Sequence, residues 1–126
     1  MIEMKIAGDE TRDKLLAQMG VGEEDAQCFW AADREEPLGG AAFCVRGGQA
    51  VMLDLFTAPG LEGALGDGLI RGAWNYCSSH GVKIARFGER FPLEKLKKLE
   101  FFKDFGHEEI DIEKFFQTRK KCGQTR

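Results

Sequence analysis

With 126 residues, 43% of them hydrophobic and 31% charged, the chain is sized for one domain over residues 1–126, with a single core that needs no disulfide or metal staple. A formal net charge of −3 argues against broad nucleic-acid binding, which requires a basic face. No apolar run approaches the ~20 residues of a membrane span and no charged-then-apolar leader opens the chain, so the expected setting is the cytoplasm.

At the start, Ile2, Met4 and Ile6 alternate with Glu3 and Lys5, which predicts a short strand over Met1–Ala7. Asp9 or Thr11 can cap a helix running to about Met19, with Leu15, Leu16 and Met19 on one face and Gly20 and Gly22 ending it. A strand over Gln27–Ala32, a charged turn over Asp33–Pro37 and a second strand over Leu38–Val45 follow. Arg46-Gly47-Gly48-Gln49 supplies the positive-φ pair of a tight hairpin, so the next strand, Ala50–Thr57, runs antiparallel to its predecessor. From about Gly66 to Ser79 the spacing turns helical: Leu65, Leu69, Ile70, Ala73, Trp74 and Cys77 share a face, and His80-Gly81 is the stop.

Val82–Phe87 is a strand at crossover distance, which allows it to lie parallel beside Ala50–Thr57. Leu93, Leu96 and Leu99 predict a helix over Leu93–Phe102; Glu109–Ile112 reads as a last strand and Ile112–Lys120 as a short terminal helix. The order is β-α-β-β-β-α-β-α-β, an antiparallel meander joined to one βαβ unit. That predicts an α+β fold: a mixed, mostly antiparallel sheet with one parallel strand pair and helices on its faces.

The four cysteines, Cys28, Cys44, Cys77 and Cys122, show no CxxC pairing, so no metal site is expected. Three read as small buried apolar residues. Cys122, beside Lys120 and Lys121, reads equally as an exposed thiol of lowered pKa and as an inert residue of a solvated basic tail formed with Arg119 and Arg126. Tyr76 reads as a packed or surface aromatic, His80 and His107 have no visible partner, and Phe101, Phe102, Phe105, Phe115 and Phe116 read as core.

The stretch Asp54–Ile70, DLFTAPGLEGALGDGLI, runs from a strand through a proline and glycines into a helix. Helix N-termini carry unpaired amides and partial positive charge, and a glycine-rich approach lets an anion reach them. Yet this stretch carries Glu62 and Asp67 and no basic residue. Asp67 is explained as a helix N-cap and Glu62 as a charge favoured near the dipole's positive end. A side-chain cap and a bound anion compete for the same amides.

In its strand–loop–helix–strand setting the stretch resembles the GNAT family of acyl-CoA-dependent N-acyltransferases. Leu55-Phe56-Thr57-Ala58-Pro59 stands in the place of the family's L-Y-V-x-P, and Ala64-Leu65-Gly66 in the place of the G-x-G of its R/Q-x-x-G-x-G/A loop. Asp67-Gly68-Leu69-Ile70 takes the place of a typical S-A-L-L, and Leu96-Lys97-Lys98-Leu99-Glu100-Phe101 is similar to Y-E-K-L-G-F. The resemblance implies a three-layer α/β/α fold, acetyl-CoA or another acyl-CoA as cosubstrate, and transfer of the acyl group to a small-molecule or peptide amine. It implies a pyrophosphate site at Leu61, Glu62, Gly63, Ala64, Leu65, Gly66 and Asp67, and a pantetheine arm along Leu55, Phe56 and Thr57. Asp54 falls where a family carboxylate often acts as base; a structural carboxylate at a strand edge is the equal alternative.

The departures matter. The R/Q position falls on Leu61, or on Gly63 if Gly66-Asp67-Gly68 is taken as G-x-G. Leu96 occupies the place of a tyrosine that protonates the leaving thiolate in many members. The terminal helix stands where a hairpin often shapes the acceptor site, which leaves that pocket undefined or built by a second subunit in a homodimer. The alternative to an enzyme is therefore a GNAT-fold binding or regulatory module without catalysis.

Overall fold

The computed structural model describes the backbone of residues 1–124 and the side chains of residues 1–118. The side chains of Arg119, Lys120, Lys121 and Cys122, and all of Arg126, lie outside the described residues. The elements are β1 (Ile2–Ile6), α1 (Asp9–Met19), β2 (Gln27–Asp33), β3 (Glu36–Arg46), β4 (Gln49–Thr57), α2 (Glu62–Ser79), β5 (Ile84–Phe87), a 3-10 helix (Leu93–Lys98), β6 (Ile110–Asp111) and α3 (Ile112–Gln124). The strands form one six-stranded sheet in chain order, β1-β2-β3-β4-β5-β6. Only β4 and β5 are parallel; every other pair is antiparallel, which is the mixed sheet expected.

Strand alternation separates two cores on opposite faces. One face carries Cys28, Trp30, Ala32 and Ala42 against Leu15 and Leu16 of α1. The other carries Phe43, Met52, Leu55, Ala85 and Phe87 against Leu69, Ile70 and Trp74 of α2, with Phe102, Ile112 and Phe115 closing it. Trp74 meets Phe102 and Phe115 edge to face, each at 5.2 Å between centroids, so the C-terminal phenylalanines are core as read. This gives three layers, with α1 on one side of the sheet and α2 and α3 on the other. Helix α2 lies close to the sheet because Gly72 has no side chain: a Cβ there would meet the Phe29 ring at 2.2 Å.

Several boundaries differ from the sequence reading. Gly8, not Asp9 or Thr11, stands at the N-cap of α1. Helix α2 begins a full turn earlier than Gly66, so the glycine-rich approach is itself helical. The predicted helix over Leu93–Phe102 is a 3-10 helix ending at Lys98, and Leu99 is extended. Leucines three apart suit three residues per turn as well as they suit 3.6. Among the described residues no helix is long and apolar enough to cross a membrane.

The two hairpins contrast. Gly47 and Gly48 take the positive φ angles of 58° and 76° predicted for the β3–β4 turn. The β2–β3 turn is only Arg34 and Glu35, and both are left-handed, at φ 52° and 72°, without the freedom of glycine. A left-handed L-residue costs on the order of 1 kcal/mol. Glu35→Gly should therefore raise the unfolding free energy by up to about 1 kcal/mol in urea denaturation, with no change in the sheet.

Candidate functional site

The parallel ladder of β4 and β5 is short. It pairs Gln49 with Ile84 through Met52 with Phe87, and the Gly88 N–H closes it on the Met52 carbonyl at 2.9 Å. There β5 ends, while β4 continues to Thr57 paired only with β3. The register between β3 and β4 slips at Ala42/Phe43, which face Asp54 and Met52, so Leu53 is the extra residue of a bulge. Beyond the bulge one edge of β4 faces a gap.

The 3-10 helix fills part of that gap. Lys95 Nζ donates to the Leu55 carbonyl at 2.6 Å and to Asp54 Oδ1 at 2.8 Å. The same Oδ1 accepts the Leu55 N–H at 2.7 Å. Both backbone groups of Leu55 are thus held by side chains of the protein itself, and Asp54 Oδ2 accepts no hydrogen bond among the described residues. With only 17% of the Asp54 side chain exposed, this ion pair belongs to the interior of the site more than to the surface.

Two cavities meet at the pair. A cavity of about 310 Å³ is lined by Leu55, Phe56, Thr57, Glu62, Glu94, Lys95, Lys98 and Leu99. A larger one of about 960 Å³ lies between the turn after α1 (Gly20–Glu23) and the segment after β5 (Gly88–Pro92), with Asp54, Arg46 and Arg86 in its walls. Lys95 faces the first and Asp54 the second.

The N-terminus of α2 borders the smaller cavity. Leu61 occupies the cap position, no side chain caps it, and the first intrahelical bond runs from the Leu65 N–H to the Leu61 carbonyl at 2.9 Å. The amides of Glu62, Gly63 and Ala64 therefore have no acceptor within the helix. Asp67, read from sequence as the N-cap, is instead a buried residue of the second turn. Its carboxylate accepts the N–H groups of Glu100 and Phe101 at 3.0 and 3.1 Å, which ties α2 to the turn after the 3-10 helix. The competition between a cap and an anion does not arise, because the two carboxylates occupy different places.

Of the residues predicted to bind a cofactor, Leu55, Phe56, Thr57 and Glu62 line the smaller cavity. Gly63 and Ala64 are exposed in the first turn of α2, and Leu61 precedes them half-buried. Leu65, Gly66 and Asp67 are buried in the next turn, where a Cβ on Gly66 would meet Leu99 at 2.4 Å. Leu96 is fully buried in the core. Tyr76 packs on Phe43 and His80, and His107 Nδ1 lies 3.0 Å from the Phe87 carbonyl.

Burial pushes the thiols of Cys28 and Cys77 up to about 12 and about 11 and raises that of Cys44, which makes all three poor nucleophiles. Among the described residues no three His, Cys, Asp or Glu side chains converge as a metal set.

Lys95, Lys98 and Arg86 were not singled out in the sequence. The signal for the lysines is their three-residue spacing, which puts both on one side of a 3-10 helix.

No protein-family model matches the chain, and no curated protein matches it in sequence. Solved structures do match in fold. The ribosomal-protein-S18-alanine N-acetyltransferase of Escherichia coli aligns with a TM-score of 0.53 at 15% identity, over 69% of this chain and 66% of that one. The IAA acetyltransferase of Bacillus cereus ATCC 14579 aligns with a TM-score of 0.56 at 15% identity, over 69% and 65%. The PaiA N-acetyltransferase of Thermoplasma acidophilum, solved in complex with coenzyme A, aligns at 0.54 and 14% identity, over 69% and 78%. The chain thus spans just under two thirds of the first two of these proteins. At such identities the likeness is one of fold: this is the GNAT acetyltransferase fold, as the Leu55–Ile70 stretch implied.

Asp67→Ala would remove the acceptor of two part-buried amides. We expect a loss of about 2 kcal/mol in chemical denaturation, with Asp67→Asn recovering part of it.

Proposed function

We propose that the protein is an N-acyltransferase that moves an acyl group, acetyl in the simplest case, from acyl-CoA to an amine. The observation that carries this reading is an open strand edge ending beside an uncapped helix N-terminus. Those two features suit the two ends of coenzyme A, and the T. acidophilum neighbour was solved with that molecule. The amides of Glu62, Gly63 and Ala64 would hold the pyrophosphate, with the Lys98 ammonium in the same cavity supplying the positive charge that the loop lacks. The edge of β4 from Thr57 to Leu55 would hold the arm. When bound, acyl-CoA supplies the acyl group as an activated thioester.

The chain's own residues do the rest. An amine attacks only when neutral, so a base must take its proton. Asp54 Oδ2 is the carboxylate oxygen without a partner, and Asp54 lines the larger cavity, from which an acceptor would approach. Lys95 fixes the carboxylate by holding Oδ1. Asp54→Asn should leave the acetyl-CoA affinity within about threefold of wild type in calorimetry. The same variant should slow thiol release from acetyl-CoA, over a panel of primary amines, by about 100-fold. No calorimetric signal with acetyl-CoA at millimolar concentration would sink the proposal.

One observation favours the second reading, a binding module: Lys95 and Asp54 already satisfy the Leu55 peptide that a bound arm would use. That reading expects acetyl-CoA to bind weakly or not at all, and no turnover with any amine. Glu62 bears on the same question. A carboxylate a few ångströms from a pyrophosphate is repelled by about 1 kcal/mol in a solvated setting. Glu62→Gln should therefore tighten acetyl-CoA binding by roughly fivefold, read in the same calorimetric titration.

A further inference from the structure

The larger cavity carries charges that acyl transfer alone does not explain. Two of its charged groups are already matched: Arg46 forms a bidentate pair with Asp25 at 2.9 and 2.8 Å, and Asp54 is paired with Lys95. Arg86 is different. It stands on β5 opposite Val51 of β4, half-buried, and its Nε donates to Gln49 Oε1 at 3.2 Å. Gln49 is held in turn, since its amide donates to Glu109 Oε2 at 2.8 Å. This chain of side chains orients the guanidinium at Nε. Among the described residues no carboxylate lies within 4 Å of Arg86 or of Arg90, which lines the same cavity from its exposed lip.

A half-buried guanidinium, oriented through one nitrogen and lacking a counter-ion, is arranged to receive a planar anion through its remaining donors. Val51 and Asp54 face Cys44 and Ala42 of β3, two ladder steps apart across the bulge, roughly 7 Å along the strand. The reach of the Arg86 and Asp54 side chains leaves a few methylenes between an anion at one and an amine at the other. Glu23 and Glu89 are the other carboxylates of the cavity wall. A polyamine would instead set its further charges against Arg86 and Arg90.

We propose, on the basis of the acyltransferase reading, that the acceptor is a short amino carboxylate: a primary amine delivered to Asp54 by a carboxylate that Arg86 binds. Arg90 adds to the field at the entrance.

The test is a series of acceptors supplied with acetyl-CoA: glycine, β-alanine, 4-aminobutyrate and 6-aminohexanoate, against butylamine and hexylamine. Thiol release gives kcat/KM for each, and calorimetry gives the affinity of the best acid. A charge-assisted pair predicts that the best amino acid exceeds its matched alkylamine by about 10- to 100-fold, with a maximum at one chain length. Arg86→Gln should abolish that ratio, Arg86→Lys should restore part of it, and Arg90→Gln should lower it less. Circular dichroism and thermal melting show whether each variant is folded. Should Arg86→Gln fail to fold, Arg86→Lys and Arg90→Gln carry the same comparison. Equal efficiency on amino acids and alkylamines, or a preference that survives loss of the Arg86 charge, would overturn this inference and leave the acyltransferase reading intact. No transfer to any of them would overturn both.

Discussion

Everything at the site depends on where β4 and β5 stop being partners. Four residues of parallel ladder end when the Gly88 N–H takes the Met52 carbonyl and the chain turns away. Gly88 permits that close approach, since a Cβ there would stand 3.0 Å from the Met52 carbonyl oxygen. An unpaired strand edge inside a fold must find hydrogen-bond partners, because a buried amide or carbonyl left unpaired costs about 1–3 kcal/mol. Here Asp54 and Lys95 meet that demand at Leu55. The bulge at Leu53, the 3-10 helix and the ion pair all answer to one interruption in the sheet.

The same interruption divides the space around β4 in two. On one side lie the uncapped amides of α2 and Lys98; on the other lie Asp54 and the arginines. In the acyltransferase reading proposed above, that division would let donor and acceptor reach the reacting atoms from different directions. Both cavities present both signs: Glu62 and Glu94 beside Lys95 and Lys98 in the smaller one, and Asp54, Glu23 and Glu89 beside the arginines in the larger. The two cavities thus meet at the Asp54–Lys95 pair, with Asp54 in the wall of one and Lys95 in the wall of the other.

Much of the fold was legible in the chain because its signals are local. The alternation of Ile2, Met4 and Ile6, the Gly47-Gly48 turn and the stripe from Leu65 to Cys77 each reflect a period set by backbone geometry. The start of α2 was not legible, because four glycines between Gly60 and Gly68 look like a loop. Three of them, Gly63, Gly66 and Gly68, are helical, and close packing offsets the entropy cost of about 0.5–1 kcal/mol at two: Gly66 faces Leu99 and Gly68 faces Met4. Asp67 was misplaced for the same reason, since its real partners, Glu100 and Phe101, are 33 and 34 residues away. Of the candidate site, Asp54 and Leu55–Thr57 were singled out through the family resemblance of their strand, and they line the two cavities. Lys95 and Arg86 were not, because their roles come from contacts of 41 and 37 residues' separation, which no local pattern records.

The link from Asp67 to the turn at Glu100 also governs how the site can open. Helix α2 and the segment bearing Lys95 are held to one another by two hydrogen bonds and by the seating of Leu99 on Gly66. The segment cannot swing out as a lid without breaking that joint. What can move without breaking it is the Lys95 side chain, once its bonds to Asp54 and the Leu55 carbonyl are given up. Uncovering the Leu55 carbonyl is then a change of one side chain and needs no movement of the segment that bears it.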